Sequence, residues 1–145
     1  MKLFKAATKP PRQVTVPATK GQPYATILRN GHEQEIPKEE IDRLLSAYAE
    51  QLKPFKAELR RIEKASAKAL ETGSVDPKII ASAEALVAEV RPVRDQIEQY
   101  DNDIHFSRES SADRIYNMFD KYEGLLDTAQ HELEMLVEVR DDPGD

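Results

Sequence analysis

The sequence predicts a mainly α-helical protein: a long antiparallel, proline-kinked helical hairpin with a third helix, forming a coiled-coil-like bundle behind an extended N-terminal arm. Three observations predict it. First, apolar residues recur at alternating four- and three-residue steps through three stretches. They fall on Ile41, Leu45, Tyr48, Leu52, Phe55, Leu59 and Ile62, continuing through Ser66 to Ala69; on Ala83, Leu86, Val90, Val93, Ile97, Tyr100 and Ile104; and on Ile115, Phe119, Tyr122, Leu126, Ala129, Leu133 and Leu136. A seam repeating every ~3.5 residues stays on one side of a helix and has to face another helix along its length. Second, proline and glycine stand where such helices need ends, at Pro37, Gly73 and Pro77. Third, the segment ahead of the helices is basic, proline-rich and free of helical periodicity.

Residues 1–36 read as the arm. Pro10, Pro11, Pro17 and Pro23 fix φ and remove backbone donors, which favours extended or polyproline backbone. Gln13 to Val16 suits one short strand. Within the arm, Tyr24–Leu28 and His32–Ile36 flank Asn30-Gly31, a pair suited to the positive φ angles of a type I′ turn, so a small hairpin over 24–36 is expected. Two strands alone are marginal and would have to pack on the helices or on a partner.

The first helix is expected over 37–72. Proline is well placed in a first turn, Glu39, Glu40 and Asp42 complement the positive end of the helix dipole, and Gly73 supplies a left-handed cap. Ser74 or Asp76 then caps a second helix over 77–104, with Pro77 in its first turn. The short connection makes these two helices antiparallel neighbours. Pro54 and Pro92 lie equally far from Gly73 along the chain, each roughly 28 Å from the turn, so kinks are expected at the same height in both helices. Residues 101–111 are polar. Ser110 or Ser111, with Asp113 nearby, is expected to cap a third helix over 111–139, leaving an acidic tail at 140–145.

Composition narrows the function classes. At 145 residues the chain has the length of one domain, and its apolar residues are too periodic for a disordered protein. With no cysteine it forms no disulfide and does no thiolate chemistry, which fits a reducing compartment: the cytoplasm, or a particle assembled there. No apolar run reaches the ~18 residues of a membrane span. The start, Met1-Lys2-Leu3-Phe4-Lys5, lacks the apolar region of a secretory signal.

The motifs of catalysis and metal binding fail one by one. His131-Glu132 begins like a helical zinc motif, but Met135 stands where the second histidine belongs. Asp101, Asp103 and His105 alternate like ligands, yet a calcium loop needs glycine at Phe106 and glutamate at Ala112. There is no phosphate-cradling glycine loop and no Glu-x-x-His for a di-metal helix site. Glu84, Glu89, Asp95 and Glu98 avoid the seam and read as a solvated face. No catalytic residue, cofactor, metal ligand or small-molecule substrate is therefore assigned, and a non-enzymatic protein is expected.

Charge is what remains. The net charge of −6 is split: Lys2, Lys5, Lys9, Arg12, Lys20 and Arg29 stand among the first 32 residues with no acid, and the remainder carries fifteen bases and twenty-seven acids. Such asymmetry marks an arm that reaches an acidic partner, or one that lies on its own acidic helices. Lys53, Lys56, Arg60, Lys64 and Lys68 add a basic stripe to the first helix, and residues 107–145 carry four bases against eleven acids. The stripe could meet phosphates, face the third helix, or sit in water. Nine aromatics, mostly on the seams, make no stacking platform for single-stranded nucleic acid.

The favoured expectation is a structural, assembly or adaptor protein that binds other chains or itself through its arm and helical surface, such as a component of a viral particle or similar complex. Its partner-binding candidates are Lys5, Lys9, Arg12 and Lys20. The alternatives are a nucleic-acid-associated protein using the arm and the stripe, and an acidic inhibitor that mimics nucleic-acid charge. Leu44, Leu70, Ile80, Val87 and Leu125 lie beside the seams and are expected to leave apolar area for self-association.

Overall fold

The computed structural model describes residues 22–142. Lys5, Lys9, Arg12 and Lys20, the strand expected at 13–16 and the last residues of the acidic tail lie outside the described residues. The described chain is mainly helical, with three long helices and a small antiparallel sheet.

The hairpin forms where Asn30-Gly31 places it. Strands β1 (Ala25–Arg29) and β2 (His32–Ile36) pair from Ala25↔Ile36 to Arg29↔His32. Asn30 at φ 53° and Gly31 at φ 78° take the two left-handed positions that the turn demands. Helix α1 (Lys38–Thr72) follows directly, the Pro37 carbonyl accepting the amides of Glu40 at 3.1 Å and Ile41 at 3.3 Å. Gly73, at φ 74°, closes it with an N–H to Ala69 O of 2.7 Å. Helix α2 (Pro77–Asp103) is capped by Asp76, whose Oδ1 accepts the Lys78 amide at 2.9 Å. The other candidate cap, Ser74, instead bonds back to Thr72 Oγ1. Both helices run through their internal prolines, Pro54 and Pro92, as continuous elements.

Past Asp103 the chain departs from expectation. The second helix was expected to include Ile104, but Ile104–Phe106 forms strand β3, which pairs with β1 through Ala25↔Phe106 and Ile27↔Ile104. The sheet order is β2-β1-β3, and Ser107 extends the pairing with an N–H to Tyr24 O at 3.1 Å. Ile104 is buried as the seam predicted, yet its backbone completes the second edge of β1 rather than a helical turn. The third helix also begins later than residue 111. Glu109–Ser111 forms a single 3₁₀ turn, which takes both serines expected as caps. Helix α3 (Arg114–Asp141) then starts after Asp113, whose carbonyl accepts the Asn117 amide at 2.8 Å.

The chain divides into two compact units. In the first, residues 22–50 and 96–119, the inward side chains Ala25, Ile27 and Ile36 of the sheet pack with Ile41, Leu44 and Tyr48 of α1, Ile97 of α2, and Ile115 and Met118 of α3; all are buried. The Tyr48 hydroxyl donates to Gln96 Oε1, and the Tyr24 ring meets Phe106 edge-on at 5.6 Å. In the second, residues 51–95 and 120–142, each pair of helices is in contact. Arg61 Nη2 donates to Ser82 Oγ at 2.9 Å between α1 and α2. Arg94 Nη1 meets Glu123 Oε1 at 2.5 Å between α2 and α3. The Phe55 and Tyr122 rings meet edge-to-face at 6.3 Å between α1 and α3.

All of the 4-3 positions in the three stretches are buried or half-buried. The expectation for their neighbours is corrected. Leu44, Ile80 and Leu125 are buried and Val87 is half-buried, so of those five only Leu70, 58% exposed, leaves a large apolar surface. The buried stripe is wider than a two-in-seven seam, because each helix packs against more than one neighbour.

Candidate functional site

The most concentrated charge on the described chain is the outward face of α1 in the second unit. Lys53, Lys56, Arg60, Lys64 and Lys68 are all exposed. At 3.6 residues per turn they spread over about 120° of the exposed side of the helix, in an array about 22 Å long. The helix therefore presents the five cations on one broad exposed side by the same packing that buries its other face. Of the three possibilities that spacing left open, exposure removes one: the stripe is not covered by the third helix. Lys56, Arg60, Lys64 and Lys68 enter no ion pair among the described residues, whereas Arg61 at the edge of the face is held bidentately by Glu58 at 2.7 and 3.1 Å. Those two bonds lower the Glu58 carboxyl below its usual range and raise the Arg61 guanidinium. Glu63 flanks the row and Glu71 ends it.

A second charged face was not singled out from the sequence. On α3 the exposed residues Asp120, Asp127, Glu134 and Asp141 follow each other at seven-residue steps, with exposed Glu138 beside them, opposite the buried Tyr122, Leu126 and Ala129. The signal was present as a heptad of acids running in register with the apolar seam. His131 lies on this face and Lys121 at its edge, and Asp141 is paired with Arg140 at 3.0 Å. The rest of the face is a row of carboxylates about as long as the basic row.

The positions that failed as metal or catalytic motifs stay apart in the fold. His105 is exposed on β3, opposite Thr26 of β1, and His131 is exposed on α3. Asp101 is half-buried, and burial, with the nearby Asp113 and Glu98 charges, raises its carboxyl. Among the described residues no group of three or more His, Cys, Asp or Glu converges as it would around a metal ion, and no helix is long and apolar enough to cross a membrane. Among the described residues, one concave place lies between Pro54 and Glu58 of α1 and Ser82 and Leu86 of α2, and another beside the α1–α2 turn at Lys68, Thr72 and Asp76.

What the two faces can do is electrostatic. A fixed row of cations attracts an extended anionic surface over a Debye length of ~8 Å at physiological salt, and several pairs made together amount to more than an isolated surface ion pair. Comparison of the chain with protein-family models, with curated proteins and with solved structures gave no match.

Proposed function

We propose that this protein is a non-catalytic assembly or adaptor component, a part of a larger complex such as a viral particle, which holds other protein chains through charged surfaces. The observation that carries this reading is the outward row Lys53, Lys56, Arg60, Lys64 and Lys68, held rigid by the packing of α1 and left facing solvent. A linear array on a helix matches an elongated acidic surface better than a small ligand, because its charges are spread over about 22 Å rather than converging on one point. The basic N-terminal residues Lys5, Lys9, Arg12 and Lys20 are proposed as a second contact of the same sign.

The same row supports a nucleic-acid reading, since phosphates are the commonest extended anions. One experiment separates the two. The intact protein and the variant Lys56→Glu/Arg60→Glu/Lys64→Glu are compared for binding to random-sequence DNA and RNA across a salt series, and for co-elution with protein chains from the native source. The proposed function predicts protein complexes that the variant loses and no nucleic-acid binding by either form. Nucleic-acid binding with a steep salt slope, lost in the variant, replaces it with the second reading. A variant that keeps every protein partner overturns the assignment of this face.

A further inference from the structure

We infer that the partner of the basic α1 face is the acidic α3 face of a second copy of this chain. The inference deepens the proposed function and rests on it for the role of the basic row. Both faces belong to one compact unit, and each is exposed on the side of its helix that points away from the core. They are opposite in sign and similar in length: Lys53 to Lys68 spans about 22 Å and Asp120 to Glu138 about 27 Å at 1.5 Å per residue. Each is borne on the exposed side of one helix, the cations about 4.5–6 Å apart along the axis and the heptad acids about 10.5 Å apart, so two aligned helices from different copies set the rows face to face without pairing the charges one to one.

The ion pairs recorded within this unit, Arg61–Glu58, Arg94–Asp95, Arg94–Glu123 and Arg140–Asp141, do not join the two rows. Asp120, Asp127, Glu134 and Glu138 take part in none of these pairs. The net charge of −6 opposes the approach of two copies. Only a face-to-face alignment of unlike rows is attractive, and that makes the contact specific in orientation. Each copy carries one face of each sign, so the contact is between unlike surfaces and can recruit further copies unless it closes on itself.

The test is the mass of the full chain in solution by sedimentation, measured across protein concentration at low salt and at about 0.5 M salt, where the screening length falls to roughly 4 Å. Two charge-reversed variants accompany it: Lys56→Glu/Arg60→Glu/Lys64→Glu and Asp120→Lys/Asp127→Lys/Glu134→Lys. All six positions are exposed, and circular dichroism confirms that each variant is folded. The expected result is association of the intact chain at low salt that is lost at high salt, with each variant alone remaining a single copy. Mixing the variants restores association, because one then presents only acidic faces and the other only basic ones. A single-copy mass for the intact chain at high concentration and low salt overturns the inference and leaves the proposed function to stand with a different acidic partner. Association that persists unchanged in either variant, or a mixture that does not associate, overturns it as well.

Discussion

Arg114, the first residue of α3, donates from Nη2 to Oδ1 of Asp42 in α1 at 2.8 Å, and from Nη1 to the Tyr24 hydroxyl at 2.8 Å. One guanidinium thus joins the start of α3, the first turns of α1 and the residue that leads into β1. Lys38 bonds the other Asp42 oxygen at 2.9 Å. The Lys38 hydrogen bond first, and that of Arg114 second, hold the Asp42 carboxyl below its usual range.

Asp42→Asn is therefore expected to lower the melting temperature by a few degrees near neutral pH, and Arg114→Ala to do so by more, because it also removes the bond to Tyr24. The sign with pH follows from the lowered value. The stabilisation is present above the unfolded-state pKa of about 3.9 and is lost as pH falls through the lower folded value. Melting curves from pH 7 to pH 3 should show the gap between wild type and Asp42→Asn closing at the acid end. A gap that stays constant to pH 3 contradicts the assignment.

Two residues earlier, Glu40 has the opposite environment. It is 2% exposed, its Oε2 has no hydrogen-bond partner, and burial raises its carboxyl, an effect that Arg43 and then Arg29 only partly offset. A raised folded pKa makes the contribution to stability greatest below the unfolded-state value of about 4.3, and that contribution is lost as pH rises through the folded value. Glu40→Gln should accordingly be more stable than wild type at pH 7, because the amide carries no charge to desolvate, and show no gain below about pH 4, where the carboxyl is itself neutral. Urea titration at both pH values measures this, and a loss of stability at pH 7 would rule the reading out.

Ser66 occupies a seam position, is 2% exposed, and its hydroxyl has no partner. Replacing it with alanine removes a buried unpaired group and installs a better helix former, for an expected gain of about 1 kcal/mol. Chemical denaturation decides it: a destabilised Ser66→Ala protein means that the hydroxyl is bonded after all.

Leu52→Ala and Leu86→Ala, at positions 5% and 2% exposed, are expected to cost roughly 2–5 kcal/mol each through lost burial and the cavity left behind. Exposed Glu84→Ala should change stability by less than about 0.5 kcal/mol. Thermal shifts of equal size for the two classes would show the buried register to be wrong.

Much of this fold was legible because its signals are local. A helix repeats its environment every turn, so the 4-3 beat from Ile41 to Ala69 identified α1 and its buried face without a partner in view. Asn30, Gly31 and Gly73 carry backbone requirements in their own covalent structure, and all three adopt the positive φ angles expected of them. Strand β3 was not legible. Three residues are too few to display a period, and Ile104-His105-Phe106 becomes a strand only because the edge of β1 lies beside it. The late start of α3 follows from the same constraint, since the chain leaving β3 takes a 3₁₀ turn before Arg114 can reach Asp42 and Tyr24.

The candidate surface divides in the same way. Spacing alone put Lys53, Lys56, Arg60, Lys64 and Lys68 on one side of one helix, since a helix fixes which residues share a face. Whether that side was covered by the third helix depended on which faces the other helices packed against, and covering is a property of three elements packed together. By itself the sequence determined the three helices, the turn between the first two, the hairpin turn and the residues of the basic face, because backbone geometry and periodicity act within a few residues. Only the tertiary structure decided the third strand, the burial of Leu44, Ile80 and Leu125 beside the seam, and the outward exposure of the basic and acidic rows, because each of these depends on contacts between residues far apart in the chain.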